Sequence, residues 1–185
     1  MNPRKMVIGL ITVVIIVAVS LFIIFLIMRQ PDGSLLKVGT KIPEFSLPDQ
    51  SGKIFDIKDV VGKKNLVIYF YPRDESPGCT KEACSFRDHY NDFTQADAMV
   101  IGISSQSTVS HAAFIDKYKL PFTLLSDEDN IVHEMFGVVS SSNSLVPGRV
   151  TFVVDKTGTI IYTFNSQTEP EKHVREALRI LTGDH

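Results

Sequence analysis

Two cysteines, Cys79 and Cys84, sit five positions apart in a chain of 185 residues. They close the stretch Pro72-Arg73-Asp74-Glu75-Ser76-Pro77-Gly78-Cys79-Thr80-Lys81-Glu82-Ala83-Cys84, directly after the apolar run Leu66 to Tyr71. Ser76 suits a helix N-cap and Pro77 the first helical position, so a helix propagating from Thr80 onward puts Cys79 in its first turn. A thiol there meets unpaired backbone N–H groups and the positive end of the helix dipole, which favour thiolate, the nucleophilic form. Cys79 is therefore the candidate nucleophile. Along an ideal helix, an i to i+5 step rises about 7.5 Å and turns about 140°, which leaves the Cα atoms roughly 8 to 9 Å apart. Bridging needs about 7 Å or less, so a bond from Cys79 to Cys84 requires the first helical turns to unwind. The competing reading makes Cys84 a small buried hydrophobe on that helix.

The elements that must position these thiols follow from the pattern of apolar runs. Strands and helices alternate along the chain, which is the order of an α/β fold. Pro43 to Gln50 and Lys53 to Ile57 flank Ser51-Gly52 and predict a β-hairpin at the entrance. Leu66 to Tyr71 predicts a central strand covered on both faces, and Thr80 to Thr94 the helix after it. Met99 to Ile103, Phe122 to Leu125 and Val150 to Val154 predict further buried strands, with a helix at Thr108 to Tyr118 that ends before Pro121. Asp155-Lys156-Thr157-Gly158 turns the chain into an antiparallel strand, Thr159 to Phe164, and Pro170 to Leu181 closes it as a helix capped by Gly183. This order is the thioredoxin arrangement: a central mixed sheet flanked by helices, with Cys79 at the carboxyl edge of the sheet, where open α/β sheets hold their sites.

Ahead of this domain, Met6 to Met28 contains no charged residue. As a helix these residues would span about 35 Å, enough to cross a hydrocarbon core of about 30 Å, and the segment reads as one transmembrane helix contacting a lipid bilayer. A cleavable signal peptide is the alternative, with Ala18-Val19-Ser20 as the cleavage site, although the apolar run continues past it. Arg4 and Lys5 before the span, against Arg29 after it, favour a cytoplasmic N-terminus and place the domain on the outer side of a single-pass membrane protein. The expected organisation is a tail over 1–5, the span over 6–28, a linker over 29–39 and one domain over 40–185. Beyond residue 29 the chain keeps 16 of its 19 Lys and Arg against all 21 Asp and Glu, and this acidic balance argues against a nucleic-acid partner. Ser140 to Ser144, interrupted by Asn143, reads as a surface loop.

The run VIYFYPRDESPGCTKEACSFRD, the earlier PEFSLPDQSGK and the later GRVTFVVDKTG stand in an order that resembles the peroxiredoxins, in particular their Q group, the bacterioferritin comigratory proteins. The resemblance covers about Gly39 to Leu181. The family pattern Pro-x-x-x-Thr/Ser-x-x-Cys is met by Pro72, Ser76 and Cys79, with Ser76 where Thr is commoner, and the segment from Phe136 to Arg149 is less typical. The resemblance implies that Cys84 is the resolving cysteine and that Arg149 faces the active thiolate. It further implies a peroxidase that reduces hydrogen peroxide and organic hydroperoxides through a sulfenic acid on Cys79. The resulting intramolecular disulfide would be reduced by a thioredoxin-like donor, with no cofactor and no metal. A monomer is expected because the resolving thiol is internal. In that chemistry Arg149 would stabilise both the thiolate and the charge on the leaving oxygen, Ser76 would hold the peroxide, and Pro72 would shield the sulfur from water.

Three other classes compete. A membrane-tethered thioredoxin-fold copper carrier would use the cysteine pair with His111 or His133, but such carriers separate the cysteines by three residues and here the spacer is four. A thiol-disulfide exchanger would carry Cys-x-x-Cys, which is absent. A non-enzymatic anchor or binding module is the third, for which the apolar run and the linker indicate tethering but not its purpose. His89, His173 and His185 show no metal-binding cluster, and Asp127, Glu128 and Asp129 read as a solvated loop.

Overall fold

The computed structural model describes residues 34–138 and 148–183. The expected tail, the expected transmembrane helix, the first residues of the linker and the loop at Ser140 to Ser144 lie outside these ranges. Among the described residues no helix is long and apolar enough to cross a membrane.

The chain enters through a hairpin of β1 (Ser46–Pro48) and β2 (Ile54–Asp56). The main sheet is built from β3 (Asn65–Phe70), β4 (Ala98–Ser104), β5 (Thr123–Ser126), β6 (Val150–Val154) and β7 (Ile160–Asn165), in the order β5-β4-β3-β6-β7. β3 runs parallel to β4, and β4 to β5, while β6 is antiparallel to both β3 and β7, so the sheet is mixed as expected. The helices are α1 (Pro77–Asp88), α2 (Tyr90–Gln95), α3 (Thr108–Tyr118), α4 (Ile131–Met135) and α5 (Pro170–Thr182).

β3 explains why the sheet is covered twice. Leu66, Ile68 and Phe70 point into a core with Phe136 and Phe152, whereas Val67, Tyr69 and Tyr71 point into a second core with Phe86, Phe93, Phe114 and Val174. Alternation with period two serves both faces, so a strand between two cores is apolar at nearly every position. α1 lies over the second face, where Phe86 stacks on Tyr69 with ring centroids 4.6 Å apart. Full burial of one such ring contributes about 1.5–3 kcal/mol, which ties the thiol-bearing helix to the central strand.

Two local readings need correcting. The helix expected over Thr80 to Thr94 is two helices: it breaks at His89, whose ring bonds the Asp92 carboxylate at 3.0 Å and starts the next turn. The acidic loop is solvated at Glu128 and Asp129 as expected but not at Asp127, which is buried, its carboxylate accepting from the backbone N–H groups of Val132 and His133 and pairing with the His133 ring. Those bonds start α4, which at five residues is too short to show a helical period. Upstream, Leu35 and Leu36 pack against the first core and the Leu36 N–H donates to the Phe136 carbonyl at 3.1 Å. Part of the expected linker is thus bound to the domain.

Candidate active site

α1 begins where β3 delivers the chain to the sheet edge. Ser76 takes the extended N-cap conformation and Pro77 the first helical position, as expected, but the Ser76 hydroxyl does not cap the helix. It donates instead to the Arg73 carbonyl at 3.2 Å, which leaves its lone pairs free to accept. Pro72 leaves the strand immediately after Tyr71 and is half-buried. Cys79 falls in the first turn with 1% of its surface exposed. Cys84 lies further along the same unbroken helix, half-buried, and both thiols are free.

Arg149 reaches this turn from the residue before β6. Its Nη2 donates to Cys79 Sγ at 3.3 Å, and its Nη1 makes a short bond to Glu82 Oε2. Gly78 permits the approach, because a Cβ there would stand 3.0 Å from Nη2. Glu82, fully buried, is the residue that sequence reasoning missed. A glutamate in a helical stretch reads as solvated; the available signal was its place three residues after Cys79, on the face shared with Ala83 and Phe86.

Burial pushes the Glu82 carboxyl up to about 8, against the opposing pull of Arg149. Burial also acts to lower the Arg149 guanidinium, but the charges of Glu82 and Cys79 outweigh it and hold the group above its ordinary value. The two tendencies conflict, since a protonated Glu82 offers arginine no charge. Arginine stays cationic throughout, so Glu82 is the member whose protonation varies. Behind it His173 is also fully buried, and burial holds its ring down at about 4. The neutral ring donates from Nε2 to the Ser166 carbonyl at 2.9 Å and accepts at Nδ1 from Thr151 Oγ1 at 2.8 Å, with Nδ1 3.6 Å from Glu82 Oε1.

The histidines that a copper carrier would use are engaged elsewhere: His111 with Asp74, and His133 with Asp127. Among the described residues no group of three or more His, Cys, Asp or Glu could hold a metal ion.

A buried thiol at a helix start, under a guanidinium on a thioredoxin-like sheet, defines a cysteine-based redox enzyme. The AhpC/TSA family profile matches residues 38–163. Chloroplastic peroxiredoxin Q of Sedum lineare is 51% identical over 143 residues, covering 77% of this chain and 76% of its own. The chloroplastic peroxiredoxin Q of Triticum aestivum is also 51% identical over 143 residues, and the match spans 77% of this chain and 65% of that relative's length. Among solved structures, the peroxidoxin BcpB of Mycobacterium tuberculosis superposes with a TM-score of 0.75 at 32% identity, covering 81% of this chain and 99% of that one. A cysteine-to-serine variant of PrxQ from Xylella fastidiosa gives 0.74 at 28% identity, covering 81% and 98%. The chain belongs to the AhpC/TSA family, within its peroxiredoxin Q group, and is a thiol peroxidase of the thioredoxin-dependent kind.

The comparisons overturn the expected localisation. The relatives are chloroplastic by name, so a single-pass protein with its catalytic domain on the outer side does not stand. The flanking charges of Arg4, Lys5 and Arg29 set orientation only for a segment already known to span, and they carry no information on whether it does.

Proposed function

We propose that Cys79 attacks one oxygen of hydrogen peroxide or an organic hydroperoxide, and that Cys84 resolves the product. Sulfur displaces the second oxygen in line, giving the sulfenic acid and an anionic leaving group that takes up a proton. The guanidinium of Arg149 stays at the sulfur while charge moves to the leaving oxygen, so one fixed cation serves both ends of the reaction. Ser76 holds the peroxide through the free lone pairs of its hydroxyl, and Pro72 adds no N–H donor that would compete. Glu82 fixes the guanidinium at Nη1 while Nη2 meets the sulfur. The sulfenic acid condenses with the Cys84 thiol after the first turn of α1 unwinds, and a thioredoxin-like dithiol reduces the disulfide by exchange. Because the resolving thiol is in the same chain, the working unit is a monomer. The catalytic unit is residues 40–185 together with the docked segment at Leu35 and Leu36.

The observation that carries this reading is the 3.3 Å contact of Arg149 Nη2 with Cys79 Sγ in the first turn of α1. Stopped-flow consumption of hydrogen peroxide and an organic hydroperoxide by the full chain tests it. Cys79→Ser abolishes consumption, whereas Cys84→Ser consumes one equivalent and stops unless an external thiol is added. Continued turnover of Cys79→Ser would refute the assignment.

A further inference from the structure

The loop from β3 to α1 carries Pro72, Ser76 and the approach to Cys79, and its Asp74 bonds side chains other than the thiol. Asp74 is 5% exposed. Tyr71 Oη donates to its Oδ1 at 2.8 Å, Ser110 Oγ donates to its Oδ2 at 2.6 Å, and His111 Nδ1 lies 2.9 Å from the same oxygen. His111 is fully buried, and its Nε2 lies 3.2 Å from the Leu125 carbonyl. The end of β3, the first turn of α3 and the edge of β5 thereby fix one loop residue. Burial alone would raise the Asp74 carboxyl, but the bonds from His111, Ser110 and Tyr71 outweigh it and hold the group below its ordinary value, so the carboxylate is the form that these donors meet. Glu75 follows with φ 57, in the left-handed region, and accepts from Lys117 Nζ on α3 at 2.7 Å.

Past Glu75 the fastening stops. The Ser76 hydroxyl bonds only within the loop, α1 has no side-chain cap, and its first two residues are Pro77 and Gly78. A rigid point at Asp74 therefore stands five residues before Cys79, next to an uncapped first turn that Arg149 holds through Cys79 Sγ and Glu82.

We propose that Asp74 and His111 are positioning residues for the peroxide reaction, anchoring the loop so that the Cys79 turn is biased towards the wound form facing Arg149. This rests on the roles assigned above to Cys79 and Cys84. The two steps need opposite states of one segment. Attack on peroxide uses the wound turn. Condensation uses the unwound one: the S–O bond of the Cys79 sulfenic acid breaks, the S–S bond to Cys84 forms, and the hydroxyl leaves with the thiol proton as water. Fastening residue 74 restricts the conformations open to the unwound segment, which lowers its entropy and favours rewinding. Losing the anchor weakens attack and eases resolution.

The test uses the full chain with Asp74→Asn, His111→Gln and Ser110→Ala. Stopped-flow measures the rate constant for peroxide, and mass spectrometry after excess peroxide measures how Cys79 divides between disulfide and sulfinic acid. Losing a charge-assisted bond shifts an equilibrium about tenfold, so Asp74→Asn and His111→Gln should slow the peroxide step by up to that factor, in proportion to the wound fraction lost, while the sulfinic fraction falls. Ser110→Ala moves both readouts in the same directions by less. An unchanged peroxide step, a rising sulfinic fraction, or a loss of rate that follows the melting temperature with the division unchanged overturns the proposal. Should Asp74→Asn not fold, the other two variants decide it on the same criteria. Absence of both oxygen addition and disulfide in the wild type would instead refute the roles of Cys79 and Cys84.

Discussion

Gly78 precedes Cys79, and its missing side chain matters for the guanidinium rather than for the helix. A Cβ there would meet Arg149 Nη2 at 3.0 Å and Cζ at 3.8 Å. The guanidinium is held by Glu82 and cannot retreat without breaking that bond. Alanine favours helix over glycine by about 0.8–1.0 kcal/mol, which is less than the roughly 3–5 kcal/mol at stake if the buried pair breaks. Gly78→Ala should therefore not raise the melting temperature and should lower kcat/KM for peroxide tenfold or more, since displacing one donor of this type costs about that much or more. Unchanged kcat/KM would mean that Arg149 adapts freely. At this scale the sequence was informative where chemistry is rare. Two cysteines in 185 residues stand out as candidates, and Arg149 entered only through resemblance. Glu82 was not legible, because what distinguishes it from any helical glutamate is complete burial, a property of packing. The N-cap position of Ser76 was readable, but the bond of its hydroxyl was not: either a carbonyl or an amide can satisfy it, and only the loop's path decides which.

Among the elements, the buried strands were readable because a strand between two cores is apolar at nearly every position, and no competing pattern of that length arises. Short elements held by single side chains were not readable, as α4 and its Asp127 cap show. The contact between central strands was equally hidden. Gly102 on β4 lies beneath Tyr69, and a Cβ there would come within 2.6 Å of Leu124 Cδ2 and 2.7 Å of Tyr69 Cζ. Tyr69 has little space to give, because it stacks on Phe86 and lies 5.3 Å from Tyr71 between ring centroids, and Leu124 is fully buried. Gly102→Ala should therefore destabilise the protein by about 1–3 kcal/mol, read as a lower urea midpoint. Because Phe86 rests on the displaced ring, peroxide consumption should fall as well. A midpoint equal to wild type would show that β4 can shift away from the ring.

For the whole molecule, two buried groups at the site make folding depend on pH in opposite directions. His173 is depressed from 6.5 to about 4 by burial, so its contribution to stability is complete above 6.5 and is lost as pH falls through 4. Glu82 is raised from 4.5 to about 8, so its contribution is complete below 4.5 and is lost as pH rises through 8. Between 4.5 and 6.5 the two slopes oppose each other, and above 6.5 only that of Glu82 remains. Urea midpoints of the wild type should therefore change little from about pH 4.5 to 6.5 and decline from 6.5 to 8. Glu82→Gln should remove the alkaline decline. His173→Gln should extend it downward, so that stability falls from about pH 4.5 upward. Asp74 and Asp127, both held below the ordinary aspartate value of 3.8, enter only at more acid pH and leave this window clear. An alkaline decline that persists in Glu82→Gln would place the titrating group elsewhere, and Glu82 would then be a permanently ionised partner of Arg149.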